Sequence, residues 1–166
     1  VMEFLECREE GSSIHNLSLG VCVSDKFMTE MIEGDIAKRE VWARVLRKRR
    51  ESGYPYIFFS DTVNNNAPRA LRETGRRIWA SNLCSEIILP TNKERTAVCC
   101  LSSVNLEHYD AWSKNGMFLK DIAEMLDNVL QYFIDNAPDE VTRAKFSASR
   151  ERSIGVGALG FHAYLQ

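Results

Sequence analysis

The chain has 166 residues, 45% hydrophobic and 27% charged, with 21 Lys+Arg against 23 Asp+Glu. That size suits one domain or one piece of a larger one, and the composition excludes disordered, collagenous and coiled-coil chains. A net charge of -2 gives no general electrostatic reason to bind nucleic acid or a membrane surface, and no apolar run approaches the ~20 residues of a membrane helix.

The opening stretch Val1–Cys7 is acidic and lacks the basic n-region and small-residue cleavage site of a signal peptide. An odd number of cysteines, five, points to a reducing, cytoplasmic compartment with thiols available for chemistry. The first residue is not Met, and the last four, Ala163 to Gln166, sit in an apolar, helix-compatible stretch. Both ends read as cuts, so a fragment is expected.

Leu17 to Val23 alternates and ends β-branched, which predicts a strand. Ser24 and Asp25 offer helix caps for the segment that follows, and Gly34 stops it. From Asp35 to Ser52, Ile36, Ala37, Val41, Trp42, Val45 and Leu46 recur at helical spacing. The opposite face is basic, the usual pattern of a solvated helix face, and Gly53 ends the helix. Pro55 to Phe59 predicts a buried strand and Asn64 to Pro68 a loop. Ile78 to Leu89 and Thr96 to Val104 read as extended segments around a turn at Pro90–Arg95, able to pair as a hairpin. Met117, Phe118, Ile122, Met125, Leu126, Val129, Leu130, Phe133 and Ile134 form one face of a long amphipathic helix, read as core packing. A helical segment is expected from Pro138 toward Arg152, and another over Gly155–Gln166. Strands separated by helices point to an α/β fold, with too few strands to close a sheet or barrel.

Chemistry concentrates at Ser81-Asn82-Leu83-Cys84-Ser85-Glu86. In extended backbone, residues two apart share a face, so Asn82, Cys84 and Glu86 would form a row with Leu83 turned away. An amide can hold a hydroxyl, a carboxylate can take its proton, and a thiol can act as nucleophile or hydrogen-atom carrier. The alternative is a buried structural cysteine. A second cluster spans Val98-Cys99-Cys100-Leu101-Ser102-Ser103-Val104-Asn105-Leu106. Adjacent strand residues face opposite ways, so only one of Cys99 and Cys100 can face the Cys84 row. A zinc site is disfavoured because the pair lacks a two-residue spacer and His108 has no second His nearby. A vicinal disulfide would be strained. Gly155-Val156-Gly157-Ala158-Leu159-Gly160 matches GxGxxG literally, but Ser149–Arg152 before it does not read as a buried strand and no acidic residue follows at the required distance. The pattern is read as tight helix packing rather than a dinucleotide site.

Together these segments resemble the large subunit of class I ribonucleotide reductase. The core of the resemblance is Asn82-Leu83-Cys84-Ser85-Glu86-Ile87 followed by Val98 to Leu106. Flanking blocks are His15 to Val21, Ser52 to Ile57, Thr62 to Pro68 and Arg152 to Gly160. The resemblance implies part of a ten-stranded α/β barrel with a central active-site loop. Residues 1–166 would be a fragment of the catalytic barrel domain, with the allosteric N-terminal and the C-terminal parts absent. It implies radical-based reduction of ribonucleoside diphosphates to deoxyribonucleoside diphosphates, for DNA precursor synthesis. Cys84 would become the thiyl that takes the ribose 3′-hydrogen, Glu86 would take the 3′-hydroxyl proton, and Asn82 would hold the ribose. Leu83 and Ser85 complete the substrate-binding segment. Cys99 would be one of the redox cysteine pair, with Cys100 incidental.

No metal or cofactor is implied in this chain. The radical would come from a separate metal-containing small subunit, and nucleotide effectors would bind elsewhere in the large subunit. The implied partners are the substrate, that small subunit, thioredoxin or glutaredoxin, the missing parts of the large subunit, and a second copy in a homodimer. The partner redox cysteine, the phosphate loop, the tyrosine relay and the C-terminal cysteine pair all fall outside the chain, and neither Cys7 nor Cys22 sits in the partner's motif. Alone, the chain is expected to be inactive. Two other readings remain: a trans-complementing piece of a split reductase, and a non-catalytic interaction module using the basic face of Asp35–Ser52.

Overall fold

The structure is a computed structural model that describes residues 2–8, 11, 14 and 16–166. Val1 and His15, the first residue of the His15–Val21 block, lie outside the described residues. The chain divides into two compact units, Val1–Pro90 and Thr91–Gln166.

The first unit begins with α1 (Met2–Glu6), β1 (Gly20–Val23) and α2 (Asp25–Glu33). Only the second half of the expected Leu17–Val23 strand is regular. The Ser24 hydroxyl accepts from the Phe27 N–H at 3.2 Å and caps α2, which ends at Gly34 in left-handed backbone. Asp35 then caps α3 (Ile36–Ser52), accepting from the Lys38 N–H at 3.0 Å, and Gly53 closes that helix. The two capped helices stand where the sequence puts them.

The basic face of α3 is largely tied to neighbouring groups. Lys38 pairs with Asp35 and Glu30, Arg39 donates to the carbonyls of Met31 and Ile32, Arg44 pairs with Glu6, and Arg49 donates to the Pro55 carbonyl. Such a face is already occupied, which argues against the interaction-module reading.

Next, β2 (Tyr56–Phe59) pairs in parallel with β1, Gly20 opposite Tyr56 and Val23 opposite Phe59. Phe58 is buried, whereas Phe59 is 40% exposed. The Asn64–Pro68 loop expected from the sequence is instead the end of α4 (Ser60–Asn66) and the connection to α5 (Arg69–Glu73). The run of Asn residues is helical, and two of its three side chains bond back to the turn before them. Asn64 Nδ2 donates to the Ser60 carbonyl at 2.7 Å, and Asn66 Nδ2 donates to the Thr62 carbonyl at 2.7 Å. Phe58, Ala67 and Ile78 form the buried cluster of this unit, with Val63 and Leu71 against it.

The second unit holds β3 (Cys100–Asn105), a 3₁₀ turn at Leu106–His108, α6 (Tyr109–Trp112) and α7 (Phe118–Asn136). A 3₁₀ turn at Asp139–Val141, α8 (Thr142–Glu151), β4 (Ile154–Leu159) and α9 (Phe161–Leu165) complete it. The expected long helix is α7, but its apolar face is only partly covered. Leu126 and Leu130 are buried, while Met117, Met125 and Val129 are exposed.

The expected hairpin is absent. Ile78–Leu89 forms no strand, and β3 pairs in parallel with β4 from Cys100–Ile154 to Asn105–Leu159. The reason is local. The Ile78 N–H and carbonyl are already bound by Asn64, and the Asn82–Ile87 backbone closes on itself, so no continuous edge is left to pair.

The glycine segment is also a strand rather than the expected helix. Gly155 lies opposite Leu101 and Gly157 opposite Ser103. A Cβ at Gly155 would stand 2.6 Å from Leu101 Cδ2, and one at Gly157 would stand 2.8 Å from Ser103 Oγ. The spacing of two suits a strand that leaves room for its neighbour's side chains.

Candidate active site

Two strands and one turn of the first unit build the site. Asn64 Oδ1 accepts from the Ile78 N–H and its Nδ2 donates to the Ile78 carbonyl, both at 2.9 Å. A side-chain amide thus pairs with the backbone as a neighbouring strand would. It anchors the chain four residues before Asn82, with Ile78 itself 1% exposed.

Asn82 to Ile87 then folds as a closed turn rather than the expected extended row. The Asn82 N–H donates to the Ile87 carbonyl at 3.1 Å and the Ser85 N–H to the Asn82 carbonyl at 3.2 Å. Asn82 Oδ1 accepts from the Ile87 N–H at 3.0 Å, and the Ser81 hydroxyl bridges the Asn82 carbonyl and Ser85 Oγ. Ser85 takes φ 69°, the left-handed backbone that lets so short a loop reverse. Cys84 is therefore a free, exposed thiol at the tip of a braced turn. Asn82 spends its oxygen on the brace, and among the described residues its Nδ2 has no acceptor.

Beneath the turn lies a cavity of about 200 Å³. Ser18, Leu19, Gly20 and Cys22 supply one wall, Tyr56 and Phe58 of β2 another, and Asn82, Leu83 and Ser85 the lip. Leu83 therefore faces this space instead of turning away, and the structure does not bring Cys84 and Glu86 to its lining; both are exposed on the turn. The closed turn, with Ser85 in left-handed backbone, breaks the alternation that an extended row would impose. Cys22, on the cavity wall, donates its Sγ to the Trp79 carbonyl at 3.4 Å, and partial burial pushes its thiol up.

Cys99 belongs to the second unit, just before β3. Burial, then the neighbouring Cys100, pushes the Cys99 thiol up. Both cysteines are half-buried.

Residues 29–166 match the family described as ribonucleotide reductase, barrel domain. The chain belongs to this family. Two viral relatives agree with the assignment. The ribonucleoside-diphosphate reductase large subunit of Invertebrate iridescent virus 3 is 51% identical over 138 residues, covering 83% of this chain and 22% of that protein. The putative large subunit of Frog virus 3 (isolate Goorha) is 42% identical over 188 aligned positions, covering 100% of this chain and 33% of that protein. Among solved structures, the Actinobacillus ureae class Id ribonucleotide reductase alpha subunit superimposes with a TM-score of 0.91 at 38% identity, over 99% of this chain and 32% of that one. The chain thus spans a third or less of the length of these relatives.

The reductase barrel is an α/β barrel, and the two parallel strand pairs seen here are of that class. Sequence reasoning missed Asn64, hidden in a run read as a loop, and Tyr56, read only as strand filler. The signal for Asn64 was available: Ser60-Asp61 directly after a strand is a helix start, which would have placed the Asn run on a helix.

Proposed function

We propose that this chain is the barrel segment of a ribonucleoside-diphosphate reductase large subunit and carries the hydrogen-atom-transfer half of its active site. The observation that carries this reading is the free Cys84 thiol held at the tip of a hydrogen-bonded turn over a polar cavity. A hydrogen-atom carrier must be fixed in place yet accessible, and this turn meets both requirements.

In the proposed reaction a Cys84 thiyl takes the ribose 3′-hydrogen. Glu86 accepts the 3′-hydroxyl proton as the 2′-hydroxyl leaves with a proton as water. A dithiol that includes Cys99 supplies that proton, together with the two electrons and second proton that place a hydrogen on C2′, and becomes a disulfide, while Glu86 returns its proton to O3′. Cys84 then returns its hydrogen atom to C3′, which regenerates the thiyl. The Asn82 amide nitrogen, unspent in the turn, is the donor suited to a ribose oxygen. Leu83 and Ser85 complete the substrate-binding turn. The second thiol of the dithiol lies outside this chain, as do the remaining barrel and the nucleotide effector sites. The radical would come from a separate metal-containing small subunit and the reducing power from thioredoxin or glutaredoxin, with the complete large subunit a cytoplasmic homodimer.

The test is a chimera in which residues 29–166 replace the matching segment of the Actinobacillus ureae class Id alpha subunit, assayed with that enzyme's small subunit. The chimera is expected to reduce ribonucleoside diphosphates. Cys84→Ser should abolish turnover, and Glu86→Gln should lower it about 10²- to 10⁴-fold, the usual contribution of a positioned general base. Turnover that survives Cys84→Ser would overturn the proposal.

A further inference from the structure

Cys99 sits in a segment fastened on both sides to α8 and the corner that follows it. The Thr96 N–H donates to the Arg143 carbonyl at 3.4 Å. The Cys100 N–H, which belongs to the peptide leaving Cys99, donates to the Ser153 carbonyl at 3.3 Å. Just ahead of the segment, Arg95 Nη1 donates to Glu151 Oε1 at 2.8 Å, with the two side chains 10% and 7% exposed. The Cys99 thiol folds back on its own strand and donates to the Cys100 carbonyl at 3.7 Å. The carbonyl that holds the Cys99 peptide is placed by the residue before it. Arg152 ends α8 with φ 43° and ψ 46°, left-handed backbone that disfavours any residue with a Cβ. Its side chain reaches across to α7. Nε donates to Asp127 Oδ1 at 2.5 Å, Nη2 to the Asp127 carbonyl at 3.0 Å and Nη1 to Gln131 Oε1 at 2.9 Å. These bonds fix a corner that the backbone alone disfavours. The reversal there turns the Ser153 carbonyl to the Cys100 N–H and starts β4 with Ile154 opposite Cys100.

We propose that Arg152 is a positioning residue for Cys99: by pinning the α8–β4 corner to α7, it places the Ser153 carbonyl that holds the Cys99–Cys100 peptide. This deepens the reductase reading by naming what holds its reducing thiol, and its biological meaning rests on that reading. The planar guanidinium suits the role, since it donates to a carboxylate, a backbone carbonyl and a side-chain amide in one fixed fork. In the proposed reaction the dithiol acts while Cys84 still carries the 3′-hydrogen. A Cys99 that swings free therefore delays reduction at C2′ without preventing the first hydrogen transfer. During that delay the exposed Cys84 thiol exchanges its hydrogen with water. Arg95–Glu151 secures the approach to the same segment. Both partners are buried, so breaking that pair would destabilise the unit as well as move Cys99. The Asp127 side chain is 47% exposed and can be replaced with α8 and β4 left intact.

The experiment reads the rates of Cys99 and Cys84 alkylation by iodoacetamide in the full 166-residue chain at low protein concentration, assigned by tandem mass spectrometry. Arg152→Met and Asp127→Ala should each speed Cys99 alkylation about tenfold, the lower end of the effect of losing a hydrogen bond to a charged group. Cys84, in the other unit, should react at an unchanged rate. Gly160→Ala loosens the far end of the same strand pair and is the stability control. It should lower the urea midpoint yet leave Cys99 slow. In the chimera, Asp127→Ala should lower deoxynucleotide formation while raising several-fold the tritium lost to water per product from 3′-tritiated substrate. A mere loss of folded enzyme would lower both in proportion. An inactive chimera would count against the reductase reading, and the alkylation rates would still decide the positioning. If Arg152→Met fails to fold by circular dichroism, Asp127→Ala decides, because it changes only an exposed helix position. An unchanged Cys99 rate in Asp127→Ala, or an equal rise in Gly160→Ala, would overturn the proposal.

Discussion

Replacing Gly160 by Ala tests the account of the glycine segment most sharply. Gly160 follows β4 with φ 71° and ψ 14° and starts α9. Left-handed backbone costs a residue with a Cβ about 1–2 kcal/mol. The new Cβ would also run into Asn105 Oδ1 and stand 3.2 Å from the Glu107 N–H. That oxygen is in use: Asn105 Oδ1 accepts from the Glu107 N–H at 3.1 Å and caps the 3₁₀ turn after β3. Moving it should cost about 0.5–2 kcal/mol, the usual worth of an N-cap. The two effects predict a loss of about 1.5–4 kcal/mol for Gly160→Ala. Gly157→Ala is the control, because its backbone is ordinary and its Cβ meets the end of the Ser103 side chain at 2.8 Å, which can rotate away. A loss below about 1 kcal/mol is expected there, since no buried packing is removed. Urea unfolding at low protein concentration, followed by circular dichroism, measures both. In Asn105→Ala/Gly160→Ala the losses should be less than additive, because both changes remove the same cap. Equal losses for the two glycines, or strict additivity in the double variant, would refute the reasoning.

Three further outcomes are expected. Arg152 donates to Asp127 Oδ1 at 2.5 Å and to the Asp127 carbonyl at 3.0 Å, and this hydrogen bond holds the Asp127 carboxyl below its ordinary value. A depressed folded-state value means that the stabilisation is complete above the unfolded carboxylate value of about 3.9 and is lost as pH falls through the folded one. Urea midpoints should therefore drop on acidification below that point, less steeply in Asp127→Asn; identical slopes would discard the link. In the chimera, Cys99→Ser should stop multiple turnover with a protein dithiol reductant while Cys100→Ala stays mild, and equal losses would contradict the assignment of Cys99. Finally, Phe161 is 59% exposed and Leu101 51% exposed, and β1–β2 and β3–β4 are two-stranded sheets with open edges. Light scattering of the isolated chain should show self-association, and a monodisperse monomer with one sharp thermal transition would count against it.

Local signals determined much of this protein. Ser24 with Gly34, and Asp35 with Gly53, mark the ends of α2 and α3, because caps satisfy orphan backbone groups within a few residues. The Asn-Leu-Cys-Ser-Glu segment and its ordered companions were enough to point to the reductase family. What sequence spacing did not contain was the partner of each strand and the shape of the Cys84 segment. Thr96–Val104 looked ready to pair with the nearer extended stretch, yet β3 pairs with β4, some fifty residues on. The nearer stretch had its backbone bonds taken by Asn64 and by its own turn. For the same reason Asn82, Cys84 and Glu86 do not form a row: Asn82 Oδ1 closes the turn onto the Ile87 N–H, and Ser85 enters left-handed backbone. The glycine pattern found its meaning only when Leu101, Ser103 and Asn105 came to lie across from it. Hydrogen-bond partners distant in sequence are chosen by competition among all the backbone groups of the fold, and that competition is visible only once the chain is folded.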